Sequence, residues 1–131
     1  MIEIPLGVKT YDTPTSIFWF DNNGIVCAII KDIPTQTLEE AIENINNFKN
    51  VIGDKKVCLM IDVTYSTETT RETRDYVAAE FPKFVKAIAM ISKSALGKML
   101  ANLFFTIKTQ PYPTKMFNEE NEAKEWLKQY L

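Results

Sequence analysis

The stretch Lys56–Tyr76, KVCLMIDVTYSTETTRETRDY, decides how the 131-residue chain reads. Val57-Cys58-Leu59-Met60-Ile61 is an apolar run without polar alternation, the pattern of a strand covered on both faces in the parallel sheet of an α/β protein. Asp62 ends the run, a hydroxyl-rich loop follows (Thr64, Ser66, Thr67, Thr69, Thr70), and Arg71 opens a helical pattern. In such sheets ligands and partners meet the chain just beyond the carboxyl ends of the strands. This loop is therefore the first candidate site.

Upstream, Thr37 and Glu40 are spaced as a capping box, Leu38, Ala41, Ile42, Ile45, Phe48 and Ile52 recur at helical spacing, and Gly53 suits the helix stop. Before that helix, Ser16–Phe20 (SIFWF) and Ile25–Lys31 (IVCAIIK) flank Asp21-Asn22-Asn23-Gly24, which predicts a β-hairpin on a tight Asn-Gly turn. Trp19 between Phe18 and Phe20 puts aromatics on both faces of the first strand, read as sheet core and partial cover rather than as a stacking site. Residues 1–15, broken by Pro5, Gly7 and Pro14, read as an N-terminal arm or edge strand, and 16–131 as a single domain.

Downstream, Thr70 or Thr67 caps a helix over roughly Arg71–Phe81 with Tyr76, Val77 and Phe81 inward, and Pro82 ends or kinks it. Phe84–Ser92 reads as a second parallel strand. Ser94 caps a helix to about Ile107 whose apolar residues spread over more than one face. Thr114–Phe117 is a short strand, and Asn118 caps a last helix with Ala123, Trp126, Leu127 and Tyr130 inward. This order of hairpin, then alternating helices and strands, predicts a mixed α/β sheet of about five strands with about four helices, parallel in its later part and joined by right-handed crossovers.

Composition narrows the function. The apolar runs fall short of the ~20 residues a membrane-spanning helix needs. Fifteen basic and 17 acidic residues leave a net charge of −2 without a basic, aromatic-laced stripe, which argues against nucleic acid as a partner. The N-terminus lacks a secretory pattern, so a cytoplasmic location is expected. Cys27 and Cys58 lie inside apolar runs and read as core thiols. The chain contains no histidine, which removes the commonest general base and metal ligand. No cofactor is implied, and no nucleophile, base and orienting group can be assembled, so a catalytic role is not expected.

The hairpin FWFDNNGIVCAIIK, the strand-to-loop LMIDVT, the helix start TRETRDY, the segment ISKSALGKMLANLFF and the closing PTKMFNEENEAKEWL together resemble the STAS or SpoIIAA-like fold of bacterial anti-sigma-factor antagonists, and within it a small uncharacterised bacterial family of STAS-like proteins. That resemblance implies a non-catalytic regulatory module that binds a protein partner, with some relatives binding nucleotides or apolar ligands. In the antagonists the corresponding loop carries a phosphorylatable serine near an aspartate; here Asp62 is kept but Arg71 stands where a small residue would be expected.

Five residues are the candidate partner- or anion-binding set: Asp62, Thr64, Ser66, Arg71 and Arg74. Arg71 and Arg74 are cations near a helix N-terminus, where the macrodipole disfavours them. Two readings stand: an anion or acidic partner offsets that cost, or Glu68, Glu72 and Asp75 neutralise the pair in a solvated cluster. The apolar alternative is Leu96, Leu100 and Phe104, as a pocket for a lipid-like ligand, an ordinary core helix or a homodimer face. Ser94–Lys98 lacks the full glycine pattern of a phosphate loop, and Gly97 reads as a close-packing position.

Overall fold

A computed structural model describes residues 2–99, 102 and 110–131. Among the described residues six strands form one sheet in sequence order: β1 (Tyr11–Asp12), β2 (Ser16–Phe20), β3 (Val26–Ile30), β4 (Val57–Asp62), β5 (Val85–Ile91) and β6 (Thr114–Phe117). β1–β2 and β2–β3 pair antiparallel, whereas β3–β4, β4–β5 and β5–β6 pair parallel. The mixed α/β sheet expected from the sequence is present. The strand beyond the five is the two-residue edge β1, which lies in the segment read as an arm or edge strand.

The hairpin turn is built as its residues require. Asp21 Oδ1 accepts from the N–H groups of Asn23 and Ile25, both at 2.9 Å, and Gly24 takes a positive φ of 82° that a side chain would resist. Helix α1 (Leu38–Ile52) opens with the complete capping box: Glu40 N–H donates to Thr37 Oγ1 at 3.1 Å, and Glu40 Oε1 accepts from Thr37 N–H at 3.0 Å. Its C-terminus closes on Gly53. Helix α2 (Arg71–Glu80) is capped by Thr70, and Pro82 lies in the 3₁₀ turn Phe81–Lys83 that follows it.

Helix α3 (Glu120–Lys128) departs from the expected cap. Glu119, not Asn118, occupies the N-cap position and makes no side-chain cap bond, and Asn118 Oδ1 accepts from Lys98 Nζ at 2.9 Å. Residues 95–99 are helical behind Ser94, whose Oγ accepts from Gly97 N–H. A Cβ at Gly97 would overlap the carbonyl oxygen of Val63, so the glycine is a close-packing position. The rest of that expected helix, to Ile107, lies mostly outside the described residues.

Right-handed crossovers between strands that advance in one direction put their helices on one face. Accordingly α1 and α2 pack on the face made by Phe18, Ala28, Val57, Leu59, Val85 and Ile88. On the opposite face lie Trp19, Cys27, Cys58, Met60, Ala87 and Ala89, covered by Ala123 and Leu127 of α3 and by Ile2. β4 is thus enclosed on both faces, as its apolar run predicts. The two cysteines are free and buried; burial pushes the Cys27 thiol up to about 12 and raises that of Cys58 as well.

α1 and α2 are tied at their C-terminal ends. Glu80, with a side chain only 15% exposed, accepts from Lys49 at 2.7 Å and from Lys83 at 2.6 Å. Hydrogen bonds from Lys49, then Lys83, hold its carboxyl below the ordinary value of 4.5. A depressed folded-state pKa contributes stability that is complete above the unfolded value and lost as pH falls through the folded one. Urea unfolding of Glu80→Gln should therefore show a lower stability at neutral pH and a shallower loss below pH 4.5 than the parent chain. Identical acid limbs would mean that the bridge contributes nothing to holding the two helices together.

Candidate functional site

Three loops converge at the carboxyl ends of β3 and β4. They are the β1–β2 turn (Thr13, Thr15), the β3–α1 segment (Ile33, Pro34, Gln36) and the β4–α2 loop (Tyr65 to Thr69). They rim a cavity of about 500 Å³ that runs between the sheet and helices α1 and α2. Its floor and walls are apolar: Phe18, Ala28, Leu59, Ile61 and Ile88 from the sheet, Ala41, Ile45 and Phe48 from α1, Val77 from α2, and Phe81 and Phe84 beyond it. Phe48 links the aromatic lining, with ring centroids 5.1 Å from Phe18 and 5.2 Å from Phe84.

The rim is a connected polar network. Gln36 Nε2 donates to Thr15 Oγ1 at 3.1 Å, and the Asn44 amide also donates to that hydroxyl. Thr69 Oγ1 donates to the Gln36 carbonyl at 3.0 Å, joining the two loops, and Arg74 Nη1 donates to the Thr69 carbonyl at 2.5 Å. Thr73, with no exposed surface, meets Thr70 hydroxyl to hydroxyl at 2.9 Å. It is the one fully buried residue of α2; Tyr76 and Val77 are half-buried against the core, and Val77 also lines the cavity.

The residues singled out from the sequence are separated by this geometry. Asp62 is 0% exposed and lies on the opposite face, where Oδ2 accepts from Ile2 N–H at 2.8 Å and Oδ1 from Thr64 N–H at 2.9 Å. It organises the chain and offers no accessible surface to a ligand. Thr64 accepts from Lys93 N–H at 3.1 Å and so fastens the loop to the end of β5. Ser66 and Arg74 line the cavity. Arg71 does not; its side chain is 84% exposed, with Asp75 at 3.8 Å as an i,i+4 partner. Local neutralisation therefore describes Arg71, while Arg74 turns inward, and the two do not form one site.

Leu96 is 57% exposed and is not among the lining residues, while Leu100 and Phe104 lie outside the described residues. Thr15, Gln36 and Asn44 were not identified from the sequence. One of them left a legible signal. Asn44 interrupts the apolar stripe of α1, three residues after Ala41 and four before Phe48, where a polar side chain has to be accommodated in the interior.

The sequence matches, over residues 18–131, the family described as a domain of unknown function, DUF7793, and the chain belongs to that family. Among solved structures it is similar to an uncharacterised protein of the DUF3478 family from Shewanella loihica PV-4, described as having a SpoIIAA-like fold. The TM-score is 0.58 at 14% identity, covering 97% of this chain and 99% of that one. At that identity the likeness shows the fold, which is SpoIIAA-like. A protein of unknown function from Arthrobacter sp. FB24 matches at 25% identity over 84% of this chain and 90% of its own, with a TM-score of 0.29. No curated protein matches.

Replacing Asp62 by alanine strands two backbone donors and should lower unfolding stability by at least about 2 kcal/mol. Asp62→Asn, which keeps one acceptor, should recover part of it. A denaturation midpoint for Asp62→Ala equal to that of the parent would remove the carboxylate from the fold's support.

Proposed function

We propose that this chain is a non-catalytic ligand-binding module, a carrier or sensor that receives a small, largely apolar molecule in the cavity under α1 and α2. The cavity itself carries the reading. Its volume of about 500 Å³ falls inside the range of roughly 300–1,000 Å³ usual for small-molecule sites, and an apolar lining with a few convergent polar groups is the usual chemistry of such sites. The rim chemistry suits binding: among the described residues it offers Ser and Thr hydroxyls, the amides of Gln36 and Asn44, the Arg74 guanidinium and an exposed Glu68 carboxylate, several of them hydrogen-bonded to one another, in a chain without histidine. The SpoIIAA-like fold is compatible with a regulatory role, but fold alone does not assign one.

Occupancy would be sensed where the rim loops meet. Thr69 and Gln36 join the β4–α2 and β3–α1 loops across the mouth, so a molecule that separates or draws together α1 and α2 alters the outer surface of the loop after β4. This is the place at which the resembling antagonists carry their switch serine.

A neutral, environment-sensitive dye, N-phenyl-1-naphthylamine, should bind with one-to-one stoichiometry and gain fluorescence. Ala28→Phe, which fills the cavity from β3, and Val77→Phe, which fills it from α2, should abolish that binding while leaving the circular dichroism spectrum intact. A parent chain that does not take up the dye, or folded filled variants that still do, would sink the reading.

Leu96 and Met99 favour a second reading, interaction with a protein partner or a second copy of the chain. They stand three positions apart on a helical segment and are 57% and 58% exposed. Sedimentation should then show a concentration-dependent dimer that Leu96→Glu with Met99→Glu dissolves. A strict monomer across micromolar concentrations would count against self-association.

A further inference from the structure

Resting on the ligand-binding reading above, we infer that the cavity's occupant is an amphiphile with an oxyanion head, a long-chain acid whose carboxylate or phosphate is held by Arg74 while its hydrocarbon lies along Leu59, Phe48 and Phe84. Among the described residues, Arg74 is the cation on the cavity wall. Its Nη1 donates to the Thr69 carbonyl, but its Nε is buried without an acceptor, and among the described residues no carboxylate pairs with it. A guanidinium presents five donors in a planar fork that fits a carboxylate or phosphate through two parallel hydrogen bonds. One backbone carbonyl leaves most of that fork unused.

The position adds a second reason. Arg74 is the fourth residue of α2, close to the end where the helix dipole repels a cation and attracts an anion. An oxyanion on the guanidinium answers the orphaned donor and the unfavourable placement together. On the opposite helix Asn44 Oδ1 is also buried without a partner; an amide oxygen only accepts, so Asn44 serves an oxyanion only with its NH2 turned to the head and Oδ1 accepting from the Thr15 hydroxyl. Its terminal torsion is broad, which permits that turn. Glu68, the carboxylate among the described lining residues, is exposed at the rim, where water and salt screen it. A small hydrophilic anion would leave the phenylalanine-lined volume unfilled, and a plain hydrocarbon would leave the buried donor unsatisfied.

Competition against bound N-phenyl-1-naphthylamine separates this inference from the one beneath it. Dodecanoate and dodecyl phosphate, below their micellar concentrations, should displace the dye at least about tenfold more effectively than dodecanol, the difference expected of a charge-assisted hydrogen bond. The more effective acid identifies which oxyanion the head carries. Arg74→Met should bring both acids to the level of dodecanol with dye affinity retained, Arg74→Lys should keep part of the preference, and the exposed Arg71→Ala should keep all of it. Equal displacement by acids and alcohol in the parent chain, or an undiminished preference in Arg74→Met, overturns the oxyanion head while leaving the cavity reading intact. Absence of dye binding in the parent chain overturns both. Should Arg74→Met lose the dye as well, the parent's acid-to-alcohol ratio and the Arg74→Lys variant decide.

Discussion

The structure depends on the parallel pairing of β3, β4 and β5 in sequence order. Strands that advance in one direction with crossovers of one hand must place their connecting helices side by side on the same face. α1 and α2 therefore lie next to each other over β3 and β4, and what fills the space between them is left to their side chains. Thr69 and Gln36 tie the two segments at the mouth, and Lys49 and Glu80 tie them at the far end. Between the ties the wall carries Ala41 and Thr73, side chains too small to close the gap, and the volume stays open.

The other face shows the contrast. There Ala87 and Ala89 lie under Ala123 and Leu127, so small residues on the sheet let the helix approach closely and the layer is filled. Asp62 is spent on the same side, holding the backbone of Ile2 and of the following loop. Both faces of the sheet carry buried core, and the α1/α2 face also leaves room for a cavity. Alternation along β4 assigns each neighbour to one of them: Leu59 and Ile61 line the cavity, Met60 and Asp62 build the packed side.

That alternation explains why the conspicuous loop does not act as a unit. Asp62, Thr64, Ser66, Arg71 and Arg74 are close in sequence and share a chemical look. In space Asp62 and Thr64 hold the chain together, Arg71 projects into solvent, and Ser66 and Arg74 reach the cavity. Arg71 and Arg74, three residues apart, differ in what their side chains meet: Arg71 reaches outward to Asp75, whereas Arg74 donates to the Thr69 carbonyl at the rim and lines the cavity.

Local chemistry made most of the architecture legible. The Thr37–Glu40 capping box and the Asp21–Gly24 turn are satisfied within a few residues, and the apolar run of β4 and the glycine at position 97 carry in their residue types the burial and close packing that distant segments impose. Asn118 has cap chemistry, but its side chain accepts from a long-range partner, Lys98, and the helix starts one residue later behind Glu119. The site was legible only in its location, at the carboxyl ends of the strands. By itself the sequence determined the order and type of the elements, because capping, turn geometry and hydrophobic period act over a few residues. Only the tertiary structure decided that Arg74 and not Arg71 faces a cavity, and that Asn44, Gln36 and Thr15 share its rim. Those choices depend on how two helices far apart along the chain come to rest beside each other on one face of a sheet.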